Sequence, residues 1–205
     1  MKITINAAGK RFNYEWILKN INYTFQSGNS YAVLGPNGSG KSTFLQMVAG
    51  ILTPSSGSVQ YEINSAVIEP ENIFRQLSIA APYLELVEEF TMEELFLFQQ
   101  NFKPFINNFS VANAIAVTQL DADPLKQIRN FSSGMKQRLK VALAVLSDVP
   151  LVLLDEPTTN LDENGVAWYL DLMKNYVGER LVIVCSNVSR EYLFCTQHID
   201  VLKFK

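Results

Sequence analysis

The stretch that most limits how this chain can fold is Gly35-Pro36-Asn37-Gly38-Ser39-Gly40-Lys41-Ser42. Before it stands a short apolar run, Ser-Tyr-Ala-Val-Leu. After it comes a segment in which Phe44, Val48 and Leu52 recur every fourth residue. A buried strand, a glycine-rich loop and a helix in that order predict the opening unit of an α/β sheet. The loop fits the pattern G-x-x-x-x-G-K-[ST], which average composition would produce by chance in a chain of this size about 1% of the time. Its residue types suit a phosphate. Glycines let successive backbone N–H groups curl around an anion, and the helix that follows turns its positive end toward it. Lys41 would reach the β- and γ-phosphates, and the Ser42 hydroxyl would ligate Mg²⁺. Thr43 completes the run. The sequence therefore predicts a nucleoside-triphosphate site.

The rest of the chain can be organised around that unit. Ile3/Ile5, Ile21/Tyr23/Phe25 and Val59/Tyr61/Ile63 alternate with the period of half-buried antiparallel strands. Residues 77–81 read as another strand. Thr91 followed by Glu94 has the capping-box spacing ahead of an apolar helix, and Ser132 or Ser133 could cap a second, with Met135, Leu139, Leu143 and Leu146 on one face. Residues 151–154 and 181–184 are continuous apolar runs, as in parallel strands buried on both faces. A helix over 163–177 should lie between them, and a last strand over 199–204 should close the chain. The expected architecture is a P-loop NTPase core with a parallel central sheet, an N-terminal antiparallel β-subdomain and an inserted α-helical subdomain. Residues 1–76 and 148–205 would form the core, with about 83–147 as the helical insert, all within a single domain at 1–205.

The apolar run 151–154 ends in Asp155 and Glu156. A buried strand would deliver Asp155 to the sheet edge to hold Mg²⁺, with Glu156 as base toward a water attacking the γ-phosphate. Bulk properties narrow the partners. A net charge of −3 argues against a nucleic-acid-coating protein, and no run approaches the ~20 apolar residues of a membrane span. The start, MKITINAAGKRF, lacks the apolar core of a signal peptide, so the chain reads as cytosolic. Cys185 and Cys195 match no metal or redox spacing.

GPNGSGKST, then FSSGMKQR at 131–138, then LLDEPTTNLD at 153–162, together resemble the nucleotide-binding subunit of an ABC (ATP-binding cassette) ATPase over essentially the whole chain. In length it resembles the compact cassettes of small exporters, including the haem-exporter type. The resemblance implies ATP with Mg²⁺, a homodimer or paired cassette, and transmembrane permease subunits as partners. It places the chain peripherally on the inner face of the cell membrane. In such a pair, Ser132, Ser133 and Gly134 would cover the ATP bound to the partner subunit. Phe12 falls where the family stacks an aromatic on adenine, with Tyr14 and Trp16 as neighbouring substitutes. Asp162 matches the aspartate that couples the two sites.

Departures from the family pattern are informative. Ser133 and Met135 replace the signature's usual second Gly and its Gln. Pro82 stands where a glutamine should follow the strand over 77–81, and proline has neither a side-chain acceptor nor an N–H. Asn187 stands where the family has its switch histidine. An amide can donate to a γ-phosphate oxygen but cannot carry charge or titrate near neutrality. The only histidine, His198, reads as structural. Slow basal turnover follows as an expectation, since one lost preorganised donor costs ~10²–10³ in rate. A permease should dock near 82–94, where Tyr83, Leu84, Leu86 and Phe90 form either an exposed apolar patch or the insert's own core. Two other functions stay open: a soluble ABC-type switch in assembly or regulation, and an ATP-gated dimeriser with little hydrolysis.

Overall fold

A computed structural model of the chain describes residues 1–123 and 125–205. Strands β1 (Lys2–Phe12) and β2 (Glu15–Gln26) pair antiparallel, and β3 (Ser30–Leu34) leads through the glycine loop into helix α1 (Lys41–Val48). Strands β4 (Ser56–Ile63) and β5 (Ala66–Ile68) return to the first sheet, giving the order β2-β1-β4-β5. Strand β6 (Leu77–Ala80) enters the second sheet. Helices α2 (Met92–Phe102), α3 (Val111–Val117) and α4 (Ser133–Leu146) follow. The chain then runs through β7 (Leu151–Asp155), α5 (Glu163–Tyr176), β8 (Leu181–Cys185) and β9 (Gln197–Asp200). The second sheet has the order β6-β7-β8-β3-β9 and is parallel throughout.

Burial on both faces explains the apolar runs. Alternate side chains of the parallel strands part between two cores, because successive Cβ atoms point to opposite faces. Ala32, Val152, Leu154, Val182 and Val184 pack with α4 and α5, while Val33, Leu151, Leu153, Leu181 and Ile183 pack with α1 and the antiparallel sheet. Within the helical insert, Leu139 and Leu146 of the expected α4 face are fully buried, Leu143 is buried and Met135 is half-buried. Both expected N-terminal caps are present. Glu94 N–H donates to Thr91 Oγ1 at 3.3 Å while Thr91 N–H donates to Glu94 at 2.7 Å, and Ser132, not Ser133, caps α4 by accepting from Met135 N–H at 3.2 Å.

Two boundaries differ from the sequence reading. Helix α1 stops at Val48, short of Leu52, because the chain turns at Gly50 (φ 71°) and the Ile51 and Leu52 amides bond back to the Gln46 carbonyl. The last strand is Gln197–Asp200, not 199–204. Past Asp200, whose carboxylate accepts from Leu202 N–H at 3.0 Å, residues Val201–Phe204 form a 3-10 turn. Among the described residues, no helix is long and apolar enough to cross a membrane.

Candidate functional site

The parallel sheet brings three loops to one edge. Strand β3 delivers the glycine loop, β7 delivers Asp155 and Glu156, and β8, lying between them in the sheet, delivers Asn187. A groove of about 290 Å³ opens there, lined by Phe12, Ile17, Asn37, Gly38, Gly40, Lys41, Ser42, Thr43 and Glu156. Gly40 is the N-cap of α1 at φ 100°, a conformation a Cβ would strain, and its missing Cβ lets Ile17 approach. No side chain caps α1, so its first amides remain free for an anion. Lys41 Nζ donates to the carbonyls of Gly35 at 2.8 Å and Pro36 at 3.2 Å, which holds the ammonium beside the loop. Ser39 is buried and its hydroxyl has no partner.

Asp155 shows what kind of ligand this edge is built for. It is 2% exposed, and neither carboxylate oxygen meets a hydrogen-bond donor. Burial, first of all, holds its pKa above the usual carboxylate range. Glu156 and Glu191 push the same way, while the Ser42 hydroxyl and Lys41 ammonium beside it oppose them. An unpaired buried carboxylate is costly unless a cation completes it, and a hard oxygen donor next to a Ser hydroxyl suits Mg²⁺. Glu156, half-buried, has φ 46°, and its N–H bonds to the Cys185 carbonyl of β8 at 2.9 Å. Asn187 is exposed, and its Nδ2 donates to Asn37 Oδ1 of the glycine loop at 3.2 Å. The strand end and the phosphate loop thus already touch.

Phe12 presents a half-exposed ring to the groove, with Lys10 Nζ 5.4 Å from its centroid. Tyr14, 97% exposed, and Trp16, under Arg11, do not line it. Ile17 does, and the sequence reading missed it because one apolar residue in an alternating strand carries no signal of its own. His198 lies exposed on β9 against Tyr192, outside the groove.

Ser132, Ser133 and Gly134 stand elsewhere. They line a second recess of about 410 Å³ with Met135, Arg138, Asn160 and Asp162. A Cβ on Gly134 would lie 2.9 Å from the Asn160 carbonyl, so this loop and the one after Glu156 are in close contact. Asp162 caps α5, accepting from Gly165 N–H at 2.7 Å. The two recesses share no lining residue.

A family model described as ABC transporter matches residues 18–159, from the β2 strand to the loop beyond Glu156. The chain belongs to the ABC transporter family of ATP-binding proteins. ATP binding and hydrolysis are the chemistry of these cassettes. A lantibiotic transport ATP-binding protein, SrtF, of Streptococcus pyogenes is 32% identical over 189 residues, covering 87% of this chain and 76% of the relative. The ABC transporter ATP-binding protein YybJ of Bacillus subtilis is 29% identical, over 89% of this cassette and 83% of its own length. Among solved structures, an ABC transporter ATP-binding protein of Pyrococcus furiosus superposes with a TM-score of 0.83 over the whole of both chains at 20% identity. MJ0796, a bacterial ABC transporter cassette solved as a dimer, does so with a TM-score of 0.81 at 20% identity, over 98% of this chain and 95% of that one. These superpositions establish the cassette fold.

Proposed function

We propose that this cassette binds Mg-ATP in the groove at Phe12 and the glycine loop, completes that site with the 132–134 loop of a second cassette, and so drives a membrane-spanning permease. The separation of the two recesses supports the reading. Each offers anion donors and neither is closed within one copy. Ser132 Oγ spends a lone pair on the Met135 amide, which leaves its hydroxyl proton free for a phosphate oxygen.

Within the groove the α1 amides and Lys41 would hold the β- and γ-phosphates, and Phe12 would offer a ring face to the base. Asn187 would turn its Nδ2 from Asn37 to a γ-phosphate oxygen. Glu156 would take a proton from the attacking water. Ser42 and Asp155 would hold Mg²⁺, which supplies charge neutralisation across the phosphates. With an uncharged amide at 187, turnover should be slow.

A third recess, of about 310 Å³, supports the permease over the soluble switch. Leu84, Leu86, Val87 and Phe98 give it apolar walls, with Lys140 and Glu85 at hand. Leu84 and Leu86 were expected there; Phe90 instead packs on Phe98 at 5.6 Å and into the insert's core, and Tyr83 lies outside the recess. A short amphipathic segment on the permease's cytoplasmic side fits such a groove, which would hold the cassette at the inner face of the membrane.

Light scattering after gel filtration tests the pairing. Glu156→Gln should run as a dimer with Mg-ATP and a monomer without. A Glu156→Gln protein that stays monomeric at saturating Mg-ATP would overturn the reading.

A further inference from the structure

Seven residues, 156–162, join the two recesses, and they do not follow a relaxed path. Glu156 and Asn160 both have positive φ, 46° and 66°. Two buried side chains hold the segment from opposite sides. From α4, Gln137 (4% exposed) donates Nε2–H to the Pro157 carbonyl at 2.9 Å. From the turn beyond β8, Glu191 (2% exposed) accepts at Oε1 from both Thr158 N–H, at 2.8 Å, and the Thr158 hydroxyl. The Glu191 backbone is fixed in turn by the Tyr169 hydroxyl of α5, which donates to its carbonyl at 2.7 Å.

Glu191 lines neither recess and the chemistry described above does not use it. Its Oε2 is buried without a donor. Packing alone would be better served by an apolar side chain, because a buried, half-satisfied carboxylate is destabilising. Its value lies in geometry. One charged oxygen takes two donors of a single residue, a strong and directional contact that fixes Thr158. Thr158 is two residues from Glu156 and four from Asp162, and Glu191 is four from Asn187.

We infer that Glu191 is a positioning residue for ATP hydrolysis: with Gln137 it clamps Pro157 and Thr158, aiming Glu156 at the phosphate groove. This rests on the reading of Glu156 as the base. A misplacement of about 1 Å in such a group costs on the order of 10²-fold in rate, so a loosened clamp acts on turnover and not on nucleotide affinity.

Steady-state Mg-ATP hydrolysis by the full chain tests the clamp. Glu191→Ala should lower kcat by about tenfold or more while KM for ATP stays within about twofold. Glu191→Gln keeps the acceptor oxygen and should recover to within about threefold of the parent. Thr158→Val removes one of the two donors and should fall between them, and adding it to Glu191→Ala should cost little more. If Glu191→Ala does not fold, Thr158→Val decides alone: an unchanged kcat overturns the clamp. So does a parent-like kcat in Glu191→Ala, a Gln variant as slow as the Ala variant, or a KM that rises in step with lost kcat. Glu156→Gln separates the two readings. If it turns over like the parent, the base assignment fails; if it is inactive beside a parent-like Glu191→Ala, only the clamp fails.

Discussion

Asp155 and Asn187 carry the sharpest consequences at the level of single residues. Asp155 is a carboxylate without a donor at either oxygen, its pKa raised by burial. A raised folded-state pKa means the folded protein binds that proton more tightly than the unfolded chain. Stability is therefore lost as pH rises through the window between the unfolded value, ~3.9, and the raised one. Asp155→Asn should raise the melting temperature of the nucleotide-free protein by about 2–12 °C, since an unsatisfied buried group costs ~1–3 kcal/mol. The same variant should lose the Mg²⁺-dependent part of the ATP-induced rise, and its advantage should shrink as pH falls. A lower nucleotide-free melting point, with Mg²⁺ dependence intact, would remove Asp155 from the metal site. Asn187 poses the reverse case, a contact present with its charge missing. It already reaches Asn37 in the phosphate loop. Asn187→His should speed turnover by about tenfold or more and add an inflection near pH ~6.5 that the parent lacks. Unchanged turnover with a flat profile would show that position 187 does not face the γ-phosphate.

Secondary-structure elements were legible where one physical signal acted alone. Strands β3, β7 and β8 are continuously apolar over residues 31–34, 151–154 and 181–184 because both faces are covered, and the sequence shows this as uninterrupted runs. Helices α2 and α4 announced themselves through caps whose hydrogen bonds are local, so spacing in the sequence equals geometry in space. Where tertiary contacts chose the conformation, the sequence was silent or misleading. Apolar spacing carries on past Val48 to Leu52, yet Gly50 reverses the chain there so that β4 can reach the antiparallel sheet. Residues 199–204 read as a closing strand, but beyond Asp200 they have no neighbour to pair with and Val201 turns into the core instead. Strand β5 and helix α3 went unread. The first is three residues paired only to β4. The second has a cap in which Asn113 takes the place of the usual Glu or Gln. That the glycine loop and the Asp155–Glu156 pair follow buried strands was readable for the same reason as the caps, both being contiguous motifs. The contacts of Gln137 with Pro157 and of Glu191 with Thr158 span 54 residues of chain between their outer members, and no local pattern marks them.

For the whole molecule, the arrangement of recesses decides how activity should divide among copies. The groove at Phe12 and the glycine loop and the recess at residues 132–134 have no residue in common. If each groove is completed by the other copy, a subunit defective in one surface still contributes the other. Lys41→Ala disables a groove but leaves its 132–134 loop intact. Gly134→Asp places a side chain against the Asn160 carbonyl and disables the loop but leaves the groove. Each variant alone should be inactive, because every site in its homodimer lacks one half. Mixed in equal amounts, half of the dimers pair unlike subunits, and each of those has one intact composite site. The mixture should therefore recover about a quarter of the parent's ATP turnover, as expected for a head-to-tail two-fold pair with independent sites. A mixture as inactive as its components, with dimers confirmed by light scattering, would mean that each site is closed within its own chain or that two intact sites must fire together. Repeating the mixture with Glu191→Ala in the Gly134→Asp subunit separates those cases from the clamp. That subunit supplies the working Glu156, so activity should fall there and not when Glu191→Ala sits on the Lys41→Ala subunit.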